Sequence, residues 1–209
     1  GEGYHVSYVN AVRGQGGQNS IGPERDDNLG ALRTYELLKA MSVLRVDIGW
    51  LADNRNNSIV DFGLSKSAEE TFEFWDKNYT IKRMIRMVRA YKPDIIIPTF
   101  LDVNGQHGHH RSVTRATIEA YDKSNDPEMF PDDNFGPWKI SQIFLPAWSG
   151  GGGSYDDEED PPKATHSIDV GNFNHIYGGT YNQIGEWSRS YHATQNIGKL
   201  AYEDKMDVP

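Results

Sequence analysis

Cysteine is absent from the 209 residues. Disulfides and thiolate metal ligands are therefore excluded, and any metal must rest on His, Asp, Glu, carbonyl or water. No apolar run approaches the roughly 18 residues that a membrane-spanning helix needs, and no signal-peptide pattern opens the chain. Positive charge is scarce: 21 Lys and Arg against 30 Asp and Glu leave 21 − 30 = −9. That balance disfavours nucleic acid or an anionic membrane surface as the main partner and suits a neutral or locally clamped small molecule. About half of the excess sits in the acidic run 156–160, which reads as a solvated loop. No internal repeat is present, and composition assigns no compartment. The length suffices for one domain, residues 1–209, with a sizeable core.

Strand and helix signals alternate along that length. Residues 4–12 are rich in β-formers and feed a glycine loop, Arg13-Gly14-Gln15-Gly16-Gly17-Gln18-Asn19. This loop lacks the lysine and spacing of a phosphate-binding loop, and reads as a tight turn that lets backbone approach a pocket. From Asp27, the apolar residues Leu29, Leu32, Leu37, Leu38, Met41 and Leu44 recur at helical spacing, with Asp26 or Asp27 available as N-cap. A strand at 46–51 and a loop through Asp61-Phe62-Gly63 follow. A second helix sets Ile81, Met84, Ile85, Val88 and Tyr91 against a basic face of Lys82, Arg83, Arg86 and Arg89, read as solvated.

Pro93 ends that helix, and residues 94–100 form a strand whose core, Ile95-Ile96-Ile97, suits a parallel strand covered on both faces. Another helix begins after His110. Residues 122–166 are a loop-rich excursion around a strand at 142–145, and a further strand is expected at 167–170. A last helix starts near Tyr181 and carries Ile184, Trp187 and Tyr191 on one side. The alternation predicts an α/β fold: a Rossmann-like, doubly wound, mostly parallel sheet. Gly1-Glu2-Gly3 resembles a helix end entering a strand, so this sheet is expected to lack its first strand and helix.

The cluster His107-Gly108-His109-His110 follows the strand at 94–100, at the carboxyl edge where open α/β sheets hold ligands. A spacing of three places two imidazoles on one side of a turn, suited to a metal ligand beside a catalytic group. One pair does not supply the three protein ligands of a catalytic zinc, and an exposed polar loop is the competing reading.

Four segments in order carry a resemblance: the glycine loop 13–19; the helix 29–37; Pro93-Asp94-Ile95-Ile96 with His107-Gly108-His109-His110; and Ser188-Arg189-Ser190-Tyr191-His192-Ala193-Thr194-Gln195. Asp61-Phe62-Gly63 with residues 65–71 is similar to the larger bacterial members. Together they resemble the LmbE-like (PIG-L) family of zinc-dependent N-acetylglucosamine deacetylases. The family's His-Pro-Asp-Asp-Glu signature does not occur in the 209 residues. Phe130-Pro131-Asp132-Asp133 has no preceding histidine and lies in the wrong part of the chain.

The resemblance implies zinc or another divalent cation, with the remaining ligands expected upstream of Gly1. His110 matches the third zinc ligand. His107 matches the histidine that protonates the leaving amine or stabilises the oxyanion, with its pKa expected to be held up by neighbouring acids. Arg33 matches a substrate-contacting arginine, although it is equally placed to pair with Glu36 at the surface. Asp61 matches a pocket acid, and Arg13 joins them as a substrate-binding candidate. His109 stands where the family often has Asp, and is expected to orient its neighbours. His192 is read either toward the pocket or as a packing residue.

The implied activity is deacetylation of an N-acetylated sugar, glycoconjugate or related small amide, and a homo-oligomer is compatible with it. Without the signature, weak zinc binding and little turnover are expected. The alternative is a non-catalytic carbohydrate-binding or scaffold module that has lost its metal.

Overall fold

In a computed structural model that describes residues 3–52, 58–131, 134–146 and 163–196, the chain alternates short strands with helices. In chain order these are β1 (Ser7–Asn10), α1 (Asp26–Leu44), β2 (Asp47–Trp50), α2 (Ala68–Trp75), α3 (Lys77–Tyr91), β3 (Ile95–Ile96), α4 (Gly108–Lys123), β4 (Gln142–Ile143), β5 (Phe173–Asn174), β6 (Gly179–Thr180) and α5 (Tyr181–Arg189), then a 3-10 turn, Ala193–Gln195. The acidic run 156–160, the glycine run 150–153, Pro161-Pro162, and Asp132 with Asp133 lie outside the described residues. No described helix is long and apolar enough to cross a membrane. The chain divides into two units, Gly1–Gly49 with His166–Pro209, and Trp50–Thr165.

In the first unit, β1 pairs with β2, and β5 pairs antiparallel with β6. Helix α1 has Asp26 and Asp27 in its first turn, where carboxylates suit the helix dipole, but its N-cap is Arg25 and no side chain caps it. The expected aspartate cap is thus corrected: the extended residue ahead of the helix is Arg25, and Asp26 already belongs to α1. The inward face is Leu29, Gly30, Glu36, Leu37, Ala40 and Val43. Leu38, placed on that face by spacing, is half exposed. Helix α5 opens with a reciprocal capping box, in which Thr180 and Gln183 each satisfy the other's backbone N–H. It buries Ile184 and Ser188, leaving Trp187 largely outside.

In the second unit, α2 and α3 pack on α4, and β3 pairs parallel with β4 in the register Ile95 to Gln142 and Ile96 to Ile143. The parallel pairing expected for the isoleucine segment is present, but its length and its cover are not. Pro98 has no N–H to give a ladder, so pairing stops at Ile96 and Ile97 is 62% exposed. Likewise no strand forms at 167–170, where pairing begins only at Phe173. The fold is α/β, and among the described residues the strands form three two-stranded pieces.

The basic face of α3 also needs correction. Arg89 is 1% exposed, and its guanidinium donates to the carbonyls of Ser124, Asp126, Met129 and Phe130. Arg83 donates to the carbonyls of Leu51 and Trp50. Each guanidinium gathers several carbonyls of one loop, which a planar five-donor group does well.

Candidate functional site

The histidine cluster forms the start of α4. His107 is the N-cap, with extended backbone and a ring Nδ1 that lies 3.2 Å from the backbone N–H of His109. Gly108 donates its N–H to the Ser65 carbonyl at 2.8 Å. A Cβ at Gly108 would stand 2.1 Å from Ser65 Oγ and 2.4 Å from the Ser67 carbonyl oxygen. Only glycine lets the helix seat this closely on the Ser65–Ser67 backbone, and Ser67 in turn caps α2 through the Glu70 N–H. The Ser65 N–H also faces His107 Nε2 at 3.3 Å. A neutral imidazole accepts at one nitrogen only, so two backbone donors compete for one lone pair.

The rings of His107 and His110 have centroids 5.5 Å apart, and those of His107 and His109 are 4.6 Å apart. The expected juxtaposition across one turn is therefore present. Burial pushes the His107 pKa down from its usual value, opposed by Asp61, a Gly63 backbone hydrogen bond and Glu70. This corrects the expectation that neighbouring acids hold it up: removal from water outweighs them. His110 is pushed down to about 4 by burial, with His107 and His109 adding to it. It stacks face to face on Phe100 at 3.8 Å, and its Nδ1 lies 3.2 Å from Gln106 Oε1.

His109 is a core residue, 6% exposed, stacked on Trp75 at 5.0 Å and edge-on to Phe62 at 4.5 Å. Its Nδ1 lies 3.7 Å from Asp61 Oδ1, too far for a hydrogen bond, and its buried Nε2 has no hydrogen-bond partner. Burial, then His107, holds its pKa at about 4, against Glu70. Asp61 closes a turn by accepting the Gly63 N–H at 2.9 Å. The structure thus gathers His107, His110 and Asp61 around His109.

Arg13 and Arg33 belong to the other unit. Arg33 donates to the carbonyls of Gly14 at 2.8 Å and Gln18 at 2.6 Å, so it clamps the glycine loop. Side chains at positions 14 and 17 would collide with it. Arg13 donates to Thr34 Oγ1 at 2.9 Å and, with Gln15, Asp27, Gly30, Ala31 and Thr34, lines a cavity of about 370 Å³. The surface pair of Arg33 with Glu36 does not form. Glu36 is buried and accepts from Thr194, so the 188–195 segment is used for packing at that residue.

Sequence reasoning missed Phe100, Gln106 and Asp102. Asp102 receives Arg111 Nε at 2.7 Å and also Arg115, which reaches Glu69 as well. Thr114 Oγ1 donates to the Phe100 carbonyl at 2.7 Å, so the 100–106 loop is stapled to α4 at both ends. The four-residue spacing from Gln106 to His110 was the one available signal.

The donor chemistry can be tested against a divalent metal. A neutral, buried imidazole with its Nδ1 beside an amide oxygen is the state a ligating histidine needs, and His110 is in it. Among the described residues no group of three or more His, Asp or Glu is arranged to hold an ion. His110 fits as one ligand, and the set around it is not closed.

Residues 1–121 match the family GlcNAc-PI de-N-acetylase, PIG-L. The chain is 28% identical over 157 residues to a 1D-myo-inositol 2-acetamido-2-deoxy-alpha-D-glucopyranoside deacetylase of Streptomyces scabiei, covering 68% of this chain and 47% of that one. It is 26% identical over 119 residues to a mycothiol S-conjugate amidase of Streptomyces coelicolor, covering 53% and 38%. The chain spans about half the length of the curated relatives it matches. Among solved structures, a conserved protein from Thermus thermophilus superposes with a TM-score of 0.56 at 17% identity, over 97% of this chain and 72% of that one. An N,N'-diacetylchitobiose deacetylase from Pyrococcus horikoshii gives 0.50 at 22%, over 68% and 49%. These likenesses share a fold, and the sequence match covers more than half of the residues: the chain belongs to the PIG-L family of GlcNAc-PI de-N-acetylases.

Proposed function

We propose that the protein is a metal-dependent hydrolase that removes acetyl from an N-acetylated sugar or a related small amide. The observation that carries this reading is the pairing of His107 and His110 at one helix N-terminus, in a chain of this family. The named activities of the relatives, deacetylation of an inositol 2-acetamido-2-deoxy-glucopyranoside and amide cleavage of a mycothiol S-conjugate, support the same substrate class. The parallel β3–β4 pair is read as part of a doubly wound sheet with the site at its carboxyl edge.

In this mechanism His110 would hold the cation, zinc by the family's chemistry, through a neutral ring nitrogen. A divalent metal there would supply Lewis-acid activation of water and of the amide carbonyl. His107 delivers a proton to the leaving amine or hydrogen-bonds the oxygen on which charge builds. Asp61 favours the protonated form of His107 and so supports that role. His109 fills the space between them and Trp75. Arg13 is proposed as a contact for a ligand in the cavity it lines within its own unit, and Arg33 as the residue that holds the loop carrying Arg13.

The test is acetate release from N-acetylglucosamine, its inositol glycoside and diacetylchitobiose, measured with metal content. Zinc-dependent turnover that falls on His107→Ala supports the reading. Sugar binding with neither metal nor turnover would support the alternative, a non-catalytic carbohydrate-binding module.

A further inference from the structure

Gln106 is a buried amide, 2% exposed, whose Oε1 lies 3.2 Å from His110 Nδ1. An amide oxygen only accepts, so the imidazole must bring a proton to Nδ1, and its lone pair then resides on Nε2. Isolated imidazole side chains favour the opposite arrangement, with the proton on Nε2. The loop that carries Gln106 is not left to find this position by chance. Asp102 holds it to Arg111 and Arg115, Thr114 holds the Phe100 carbonyl, and the Gln106 N–H turns back to the Val103 carbonyl at 3.3 Å. Phe100 lies flat on the ring, at an interplanar angle of 4°, so rotation about the ring's attachment is restricted as well.

We infer that Gln106 is the positioning residue of the site: it fixes His110 as the Nδ1–H tautomer and turns Nε2 into the ring's donor atom. Partners of this kind are worth a large factor in affinity, because the ligand otherwise has to change tautomer as it binds. The inference rests on the reading of His110 as a metal ligand, but the tautomer itself is measurable without any metal.

The experiment uses the 209-residue chain, 15N-labelled at histidine and freed of metal, at a pH well above the histidine range. Long-range 1H–15N correlation reports which nitrogen carries the proton, and His110→Ala assigns the signals. The expected result is an Nδ1–H tautomer in the unmodified chain, a shift to Nε2–H in Gln106→Leu, and restoration of Nδ1–H in Gln106→Glu, which keeps an acceptor. An unmodified chain protonated at Nε2 means that Gln106 presents its NH2 group, and overturns the inference even if the leucine variant does not fold. A folded Gln106→Leu with an unchanged tautomer overturns it too. Zinc alone, titrated and followed at the His110 nitrogens, should bind about 10–100-fold more weakly to Gln106→Leu than to the unmodified chain or Gln106→Glu. If the tautomer responds as expected while saturating zinc leaves the His110 signals unmoved in a chain that also carries the remaining ligands, Gln106 keeps its role and the metal reading of His110 fails.

Discussion

The Glu36 carboxylate receives both the backbone N–H and the hydroxyl of Thr194, at 2.8 and 2.7 Å, across 158 residues of chain. Both residues are buried, so truncation leaves polar groups without water to replace the lost partner. Glu36→Ala is expected to lower unfolding free energy by about 2–4 kcal/mol, and Thr194→Ala by about 1–2 kcal/mol. Urea denaturation of both and of the double variant measures the coupling, which should be well above zero.

This pair also shows where the sequence is legible and where it stops. Helices α1, α3 and α4 follow from apolar spacing, and Pro93 marks an end that the structure keeps. A single acid or base within such a helix reads as solvated, because spacing carries no record of a partner far away in the chain. Glu36 and Arg89 are both inside for that reason: Thr194 and four carbonyls satisfy them. The isoleucine run was legible as a parallel strand, but its exposed end depended on which chain covers it. His107 and His110 were legible from their spacing and context. Neither the burial of His109 against Trp75 nor the flat stack of Phe100 on His110 has any local signature.

Two glycine-to-alanine changes should have opposite signs. At Gly108 a methyl group would overlap Ser65 Oγ and the Ser67 carbonyl, the latter fixed by backbone. Gly108→Ala is expected to cost about 1–3 kcal/mol and to shift the His107 and His110 resonances together. At Gly185, inside α5, a Cβ meets nothing within 4 Å. Gly185→Ala should stabilise by about 0.5–1 kcal/mol through helix propensity. Urea midpoints for the two variants decide the matter.

Arg89→Met keeps the apolar stem and removes the guanidinium that caps the chain after α4. The carbonyls of Ser124, Asp126 and Met129 then lose a buried donor. A loss of about 3 kcal/mol is expected, and Arg89→Lys should recover only part of it, because one ammonium does not span the same carbonyls. Hydrogen exchange at the end of α4 should accelerate in both variants, more in the methionine one.

The His192 pKa is lowered from its usual value by burial, opposed by Glu36 on α1, with Arg33 on α1 and Arg189 on α5 adding to the depression. The folded chain therefore takes up this proton at lower pH than the unfolded chain does. Its contribution to stability is whole above the unfolded value, near 6.5, and is lost as pH falls through the folded one. His107, His109 and His110 are shifted in the same direction and add to the slope. His192→Asn should flatten the dependence of the urea midpoint on pH below about 6.5 without abolishing it. A variant that tracks the unmodified chain at every pH would show that His192 is as hydrated as in the unfolded state.

His110 and His107 sit one helical turn apart, yet their replacement should separate two properties. The His110 ring is held neutral, flat on Phe100 and hydrogen-bonded to Gln106, all of which prepares a ligand. The His107 ring lies beside the backbone N–H groups of Ser65 and His109 and has no comparable preparation for holding an ion. In a full-length protein that carries the remaining ligands, His110→Ala should therefore abolish bound zinc, measured by metal analysis after dialysis. His107→Ala should keep the metal and lower turnover of an N-acetylated sugar by about 10²–10⁴-fold, the range for a lost general acid or base. Metal retained undiminished in His110→Ala would remove the ligand assignment, and with it the reason to place amide cleavage at this helix end.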